Sequence, residues 1–267
     1  EQMEEKMEFK NKTAVITGGA SGIGLLSAQC LAKEGANVLL VDINENALVE
    51  KVAEINAQNV GKAEYAVCDV RQYEQVLDAT DKAIEKFGRI DILINCAGGC
   101  ERRCNNYDGD WLETPSEIFD WGIDVNLKGP FYFAHAVLKQ MREQKSGLII
   151  NIGSITGAEG DGHGMDYPTS KAGLMYGLTK SLAQFGAKHN IRCVCVSPGP
   201  VLTREAMANM RTLLGRAAEP QEIIDLILFI AYYVLICGLL ALMNDFGTAL
   251  IFFCAFLVIA YLRSGSV

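Results

Sequence analysis

Residues 13–42 hold the pattern that most restricts the fold of this chain. The run TAVIT at 13–17 is short, apolar and rich in β-branched residues, which is typical of a buried strand. A glycine-rich stretch at 18–24 follows at once, then a helical pattern at 25–34 and a second apolar run at 38–41. A strand, a tight turn, a helix and another strand at this spacing predict a βαβ unit, in which the two strands are parallel.

The alternation of strands and helices continues along the chain. Further helices are predicted at 47–56, 73–87 and 116–144, and further strands at 63–68, 90–95, 148–152 and 191–196. Repeated units of this length predict an α/β fold with a doubly wound parallel sheet and helices on both of its faces.

The glycine turn and the acid after the second strand have the features of a dinucleotide site. Glycines let the backbone approach a diphosphate closely, and the helix that follows offers N–H groups and the positive end of its dipole. Asp42 lies 24 residues after Gly18, where a carboxylate can accept both adenosine-ribose hydroxyls and would repel a 2′-phosphate. No Arg or Lys occurs in the turn or just after Asp42, which favours NAD over NADP. The alternative is a purely structural turn.

The stretch 154–171 carries the side chains best suited to chemistry. Ser154 follows a predicted strand, and Tyr167 and Lys171 lie four residues apart at a predicted helix start, on one face of that helix. The ammonium favours the phenolate, so we expect it to lower the pKa of Tyr167 and prepare the phenol for proton transfer. Ser154 can hold a carbonyl or alcohol oxygen beside that phenol. The alternative is a surface helix with an incidental Tyr and Lys.

The predicted loop 99–115 follows the strand 90–95, and loops at this end of a parallel sheet carry substrate contacts. Its notable side chains are Arg102, Arg103, Trp111, Glu101, Asp108, Asp110 and Glu113. A solvated insertion is the alternative. Cys100 and Cys104 in this loop have no His nearby, so we expect no metal site. His163 contacts substrate or is a solvated loop side chain.

Charge and cysteine usage exclude other classes of protein. The net charge of −8 and the lack of a basic cluster argue against a nucleic-acid partner. The nine cysteines include no C-x-x-C pair, which fits a reducing, cytoplasmic compartment. Residues 1–12 are charged and polar, unlike a signal peptide.

In their order and spacing these motifs resemble the classical, single-domain form of the short-chain dehydrogenase/reductase family, over about residues 10–231. The matching motifs are T-G-x-x-x-G-x-G at 17–24, Asp69 with Val70, N-C-A-G at 95–98 where the family has N-N-A-G, Asn126, Ser154, Tyr-x-x-x-Lys at 167–171 and Pro-Gly at 198–199. The resemblance implies a Rossmann fold and an NAD(H)-dependent oxidoreductase that interconverts a secondary alcohol and a ketone by hydride transfer. It also implies a small-molecule substrate and a homo-oligomer.

The resemblance further implies a catalytic tetrad of Asn126, Ser154, Tyr167 and Lys171. Ser154 would orient the substrate oxygen, and Tyr167 would act as general base in oxidation and general acid in reduction. Lys171 would lower the pKa of Tyr167 and hold the nicotinamide ribose, while Asn126, through a helix distortion, would hold a water that links Lys171 to solvent. The cofactor contacts implied by the family pattern are Thr17, Gly18, Ser21, Gly22, Ile23, Gly24, Asp42, Ile43, Asp69, Val70, Asn95, Ala97, Gly98, Tyr167, Lys171, Pro198, Gly199, Val201 and Thr203.

The C-terminal part departs from the family pattern. After Gly199 the chain is shorter than the usual substrate lid, so we expect one helix at 204–214 and an open pocket, then a last helix ending near Ala231. Residues 232–267 instead resemble a fragment of a bacterial cell-shape or cell-division membrane protein, around D-F-G-T-A at 245–249. We therefore expect an NAD-binding domain over 7–231 and a hydrophobic, helical tail over 232–267.

Three interpretations of this tail stay open. Its runs 226–243 and 246–262 carry no charge, so it can be a membrane anchor, and the protein would then be membrane-associated. It can be a foreign end that arose by gene fusion, frameshift or assembly, or residues 235–243 can replace the family's last strand. If that strand is missing, the usual oligomer contact is altered, and the alternative function is a catalytically impaired NAD-binding module, tethered to a membrane by the tail.

Overall fold

The structure is a computed structural model, and it describes residues 9–162, 164–210, 212 and 215–242. Its strands are β1 (Thr13–Thr17), β2 (Asn37–Asp42), β3 (Ala63–Val67), β4 (Ile92–Asn95), β5 (Gly147–Ile152) and β6 (Ile191–Val196). They form one sheet in the order β3-β2-β1-β4-β5-β6, with every neighbouring pair parallel. The predicted doubly wound parallel sheet is confirmed, and its strand order reverses between β1 and β4.

Helices connect the strands, as the alternating pattern predicts. They are α1 (Gly22–Lys33), α2 (Glu45–Asn56), α3 (Tyr73–Phe87), α4 (Glu101–Cys104), α5 (Ser116–Ile123), α6 (Gly129–Gln144), α7 (Thr156–Glu159), α8 (Asp166–Ala172), α9 (Thr179–Ala187) and α10 (Pro220–Leu242). Two π-helical turns interrupt the regular pattern, one at Asp124–Lys128 between α5 and α6 and one at Gly173–Leu178 between α8 and α9.

The core lies on the sheet. Strands β1, β4 and β5 are buried along their whole length, as expected for parallel strands that helices cover on both faces. One core cluster joins these strands to α3 and α6 and includes Val15, Leu93, Ile149, Val76 and Phe133. In α3 the buried residues recur at helical spacing, which explains why this segment forms a helix with the predicted bounds.

The turn between β1 and α1 depends on glycine at two positions. Gly18 has a φ of 65°, and a Cβ there would lie 2.9 Å from the backbone nitrogen of Ala97. A Cβ on Gly24 would lie 2.2 Å from the carbonyl oxygen of Gly18, so the first turn of α1 packs directly on the loop before it. The backbone of Gly19 also donates to the carbonyl of Val41, at 3.0 Å, which joins the turn to β2.

The segment after β6 differs from the prediction of one helix at 204–214. A 3-10 turn, Glu205–Asn209, is present instead, and residues 211, 213 and 214 lie outside the described part of the chain. The predicted loop 99–115 also contains regular structure, in α4 and in a 3-10 turn at Trp111–Glu113.

The predicted end of the last helix near Ala231 is wrong, because α10 is continuous to Leu242. Residues 235–242 are therefore helical and do not form the replacement strand considered above, and the described residues contain no strand after β6. Among the described helices, none has both the length and the apolar character needed to cross a bilayer. Residues 243–267, which include the run 246–262 and the D-F-G-T-A segment at 245–249, lie outside the described residues. A first compact unit ends at Ile227 and a second begins at Leu228, and the domain boundary at 231 stays a prediction.

Replacing Gly24 by Ala should destabilise the protein. The new Cβ would overlap the carbonyl of Gly18, which is backbone and moves only if the whole turn shifts. We expect Gly24→Ala to lower the free energy of unfolding by about 1–3 kcal/mol in urea denaturation, the usual cost of overpacking. Gly177→Ala is the matched control, because a Cβ at that helical glycine meets no atom within 4 Å. Equal stability of the two variants would contradict this account of the turn.

Candidate active site

A cavity of about 550 Å³ lies at the carboxyl edge of the sheet. Segments that follow each of the six strands line it, because the carboxyl ends of parallel strands meet at one edge. The predicted site residues on its wall are Gly18, Ser21, Gly22, Ile23, Gly24, Asp42, Ile43, Asp69, Val70, Ala97, Gly98, Ser154, Tyr167, Lys171, Pro198, Gly199, Val201 and Thr203. The fold thus brings most of the predicted residues to one place.

Thr17 and Asn95, which were predicted to contact the cofactor, do not line this cavity. Both side chains are buried at the ends of central strands and bond to protein groups. Thr17 Oγ1 accepts hydrogen bonds from the backbone N–H groups of Cys96 (3.1 Å) and Ala97 (3.0 Å). Asn95 Nδ2 donates to Oδ1 of Asn151 at 2.8 Å. These two residues shape the wall of the cavity from behind.

Asn126, a predicted member of the tetrad, also lies behind the wall. It sits in the π-helical turn Asp124–Lys128, so the expected helix distortion is present. Its Nδ2 donates to the carbonyls of Gly99 (2.9 Å) and Gly122 (3.0 Å), and its Oδ1 accepts from the N–H of Gly99 (3.0 Å). A Cβ on Gly98 would lie 2.5 Å from Asn126 Oδ1 and 3.6 Å from Lys171 Nζ, so Asn126 holds this backbone beside the lysine.

Ser154, Tyr167 and Lys171 meet at the cavity from two elements. Ser154 follows β5 and hydrogen-bonds, at 2.9 Å, to Oγ1 of Thr156. Tyr167 and Lys171 lie on one side of α8, with Lys171 Nζ 5.7 Å from the centre of the tyrosine ring. Lys171 Nζ donates to the carbonyl of Ile152, the last residue of β5, at 2.8 Å. The strand end that carries the serine therefore also fixes the lysine.

The expectation that Tyr167 has a lowered pKa is not met. Burial raises the pKa of this phenol, and the hydrogen bond with Ser154 and the charge of Arg103 offset the increase only in part. Burial also lowers the pKa of Lys171 to about 8, because an ammonium is costly in a site that is 5% exposed. Tyr167 is therefore a protonated phenol at neutral pH, the state in which it can donate a proton.

The opposite end of the cavity carries carboxylates. Asp42 Oδ2 accepts from the N–H of Ala20 (3.2 Å) and Oδ1 from that of Asn44 (3.1 Å), which fixes the orientation of this carboxylate at the end of β2. The next residue, Ile43, is 72% exposed and lines the cavity, so an apolar side chain is available to one face of an aromatic ring. Asp69 pairs with Arg71, whose Nη2 lies 2.6 Å from Asp69 Oδ2.

Several residues that line the cavity were not predicted from the sequence. They are Val41, Cys68, Arg71, Cys96, Gly99, Arg103, Cys104, Trp121, Val125, Ile152, Gly153, Arg204 and Met207. Arg103 belongs to the loop 99–115, for which substrate contact and a solvated insertion were the two alternatives. Its position in that loop was the only sequence signal for a role in the site. Trp111, Asp108, Asp110 and Glu113 of the same loop do not line the cavity, and His163 lies outside the described residues.

Glu101 and Asp166 form a buried pair of acids beside Tyr167. Glu101, in α4, is fully buried, and Asp166, the first residue of α8, is 7% exposed. Glu101 Oε2 and both carboxylate oxygens of Asp166 have no donor among the described residues, and two carboxyl groups hydrogen-bond to each other only when one keeps its proton. A Cβ on Gly122 of α5 would lie 3.2 Å from Glu101 Cβ and 3.3 Å from Asp166 Oδ2, so a glycine is required beside the pair.

Burial, with Asp166 as a further cause, raises the pKa of Glu101 to about 7. A carboxyl group with a raised pKa in the folded state binds more protons there than in the unfolded chain. The protonated pair therefore contributes its full stabilisation of the folded protein at pH values below the ordinary pKa of a glutamate. This stabilisation is lost as the pH rises through about 7.

Comparison with known proteins agrees with this fold. The model of the short chain dehydrogenase family matches residues 12–213. The chain is 36% identical over 235 residues to the 3-oxoacyl-[acyl-carrier-protein] reductase FabG of Thermotoga maritima, covering 84% of this chain and 92% of that protein. It is 32% identical over 237 residues to the 7alpha-hydroxysteroid dehydrogenase of Bacteroides fragilis, covering 84% and 88%. The crystal structure of NAD+-bound xylitol dehydrogenase superposes with a TM-score of 0.73 at 29% identity, covering 84% of this chain and 93% of that one.

The fold and the cavity define an NAD(P)-type oxidoreductase built on a doubly wound sheet. The chain belongs to the short chain dehydrogenase family.

The acid pair predicts a specific dependence of stability on pH. We expect the free energy of unfolding of the wild type to fall between pH 5 and pH 8 by more than that of Glu101→Gln, because the amide cannot lose a proton. Each unit by which the pKa of Glu101 exceeds that of the unfolded chain is worth about 1.4 kcal/mol. Urea denaturation at several pH values measures the difference, with the exposed Glu117→Gln as a control that keeps the wild-type profile. Parallel profiles for wild type and Glu101→Gln would exclude a proton held by this pair.

Proposed function

We propose that the protein is an NAD(H)-dependent oxidoreductase that interconverts a secondary alcohol and a ketone, with Tyr167 as the general acid or base. The observation that carries the proposal is the convergence of Ser154, Tyr167 and Lys171 on the cavity that the glycine turn also lines. A titratable phenol, a hydroxyl on the same cavity wall and a buried ammonium form a set that can bind and protonate a carbonyl oxygen.

The residues of the cavity fit a dinucleotide. Gly18, Gly22 and Gly24 line the cavity without side chains that would occupy it, and α1 begins in this turn, so its first N–H groups are available at the same place. Thr203 stands across the cavity, with its methyl group 3.9 Å from the Cβ position of Gly22. When bound, the nicotinamide supplies or accepts the hydride.

The remaining chemistry belongs to the side chains of the protein. Ser154 donates a hydrogen bond to the substrate oxygen and keeps it beside the phenol of Tyr167. Tyr167 Oη gives its proton to that oxygen in reduction and takes it back in oxidation. Lys171, held by the carbonyl of Ile152, keeps a positive charge behind the ring and is placed to bond a ribose hydroxyl. Asn126 fixes the Gly99 backbone next to this lysine, and the water that links Lys171 to solvent remains part of the proposal.

NAD rather than NADP is supported by the charges at the adenosine end of the cavity. The carboxylate of Asp42 is oriented by two backbone N–H groups and would repel a 2′-phosphate. Arg71 is the cation on this part of the wall, and it is bound by Asp69 through both Nε and Nη2, so its charge is already neutralised.

Tyr167→Phe should abolish turnover and leave cofactor binding intact. Loss of an acid–base group costs about 100- to 10,000-fold in rate, whereas the ring and its packing are kept. Turnover is measured on a panel that includes xylitol, a 7α-hydroxysteroid and a 3-oxoacyl thioester, and the Kd of NADH by fluorescence titration. Tyr176→Phe, at an exposed tyrosine, is the matched control. Retained turnover in Tyr167→Phe would contradict the proposal. A wild type that binds NADH without any turnover would favour the alternative function, a catalytically impaired NAD-binding module.

Asp42→Asn should weaken the preference for NADH over NADPH. The substitution removes the charge that repels the 2′-phosphate and retains an oxygen acceptor for one of the two N–H groups, that of Ala20 or that of Asn44. We expect the ratio of the two dissociation constants to move toward NADPH by about tenfold, or about 1.4 kcal/mol. Glu45→Gln removes the same charge at an exposed position three residues away and should leave the ratio unchanged. A wild type that binds NADPH as tightly as NADH would contradict the role of Asp42.

A further inference from the structure

The catalytic end of the cavity carries two arginine side chains whose charge the proposed reaction does not use. Arg103 comes from α4, and Arg204 comes from the segment between Thr203 and the 3-10 turn Glu205–Asn209. Both are exposed and both line the cavity that holds Ser154 and Tyr167. These two segments are far apart in the chain, so the fold itself brings the two guanidinium groups to one site.

The part of the chain that the structure describes does not neutralise either arginine. Within the described residues no ion pair includes Arg103 or Arg204. Arg103 Nη2 contacts Cys104 Sγ at 3.2 Å and Arg204 Nη2 contacts Met207 Sδ at 3.7 Å, and sulfur is a weak acceptor. Most donors of both guanidinium groups therefore remain available to a ligand with oxygen acceptors.

The two positive charges act on the same place. Both lower the pKa of the Cys104 thiol, which lines the cavity, although burial keeps that pKa raised overall. Arg103 also opposes the rise in the pKa of Tyr167, so its charge reaches the phenol. A Cβ on Gly99 would lie 2.5 Å from Arg103 Nη2, which places the guanidinium on the loop that Asn126 holds.

The acids on the described wall of the cavity lie at the other end. They are Asp42 and Asp69, which lie at the proposed adenosine end of the cavity. Asp69 is paired with Arg71. A second cavity, of about 370 Å³, shares Arg103 and Tyr167 with the first. Arg103 thus stands where the two cavities meet, and the acids Glu101 and Asp161 lie on the wall of the second one.

We propose that Arg103 and Arg204 bind an anionic group of the substrate, and that the substrate is an oxo or hydroxy compound that carries a carboxylate or phosphate. The inference rests on the proposed function, because it assumes that the group to be reduced or oxidised lies at Tyr167. Guanidinium groups bind carboxylate and phosphate oxygens through paired, charge-assisted hydrogen bonds. Two guanidinium groups from different elements fix the end of the substrate that lies away from the reacting carbon, and so orient its carbonyl group.

The test uses pairs of compounds that differ in charge and by one methyl group. The probes are pyruvate, acetoacetate and levulinate with their methyl esters, which vary the distance between the carbonyl and the anion. Calorimetric titration of the full chain, with and without NADH, measures binding independently of turnover. We expect the wild type to bind at least one acid about tenfold or more tightly than its ester, and expect Arg103→Gln and Arg204→Gln to lose that preference. Arg142→Gln, an exposed arginine of α6 outside the cavity, should keep it.

Esters that bind as tightly as the acids would overturn the inference, as would an unchanged preference in Arg103→Gln. The cofactor's diphosphate is the other source of the same chemistry. If the two variants weaken NADH binding and leave the preference for acids intact, the arginines hold the cofactor and the inference is wrong. Reduction of the esters without any preference for acids would leave the proposed function standing alone. Preferred binding of acids without oxidation of NADH would remove the proposed function and keep the anion site.

Discussion

The structure depends on a row of buried polar side chains at the carboxyl ends of its central strands. Parallel register places Thr17 beside Asn95, and Asn95 beside Asn151, at the edge where the cavity opens. Buried amides and hydroxyls are costly unless they are hydrogen-bonded, so this row admits few arrangements. Asn95 donates to Asn151, Asn151 donates to Thr179, and Thr179 donates to the carbonyl of Leu174 in the π-helical turn after α8. The sheet thereby fixes the helical segment that presents Tyr167 to the cavity.

The end of the cavity that carries Tyr167 is held from two further directions. Lys171 bonds to the end of β5, and Asn126 bonds to the loop after β4, so side chains from α8 and from the distorted helix meet across Gly98. Burial sets the ionisation of both titratable groups: Lys171 is brought to a pKa of about 8, and the phenol of Tyr167 stays protonated. The site combines a neutral phenol with an ammonium group whose pKa is lowered, which suits transfer of one proton to an oxygen.

The sequence predicted the strands and the doubly wound sheet well, because apolar β-branched runs alternate with helical periodicity. It placed Ser154, Tyr167 and Lys171 together, since parallel strands end at one edge. It could not separate residues that line the cavity from those behind it, because the T-G and N-x-A-G motifs give no side-chain direction; Thr17 and Asn95 are examples. The burial of Glu101 was hidden for a related reason, because an acid in a polar loop is expected to be solvated and only the packing of α4 on α5 buries it. The prediction of a helix at 204–214 was wrong, because the helical periodicity there covers too few residues to outweigh local turns.

The buried acid pair has a consequence for how the family's chemistry can diversify. Ser154, Tyr167 and Lys171 are joined to the sheet through backbone and amide bonds, whereas Glu101 connects the loop that carries Arg103 to α8 by a carboxyl contact with Asp166. Substitutions at Arg103 can therefore change the charge of the cavity wall while the bonds of Lys171 and Asn126 to the backbone are kept. Because that charge also reaches Tyr167, selectivity and reactivity share this one loop side chain, and a change in one trait is inherited together with a change in the other.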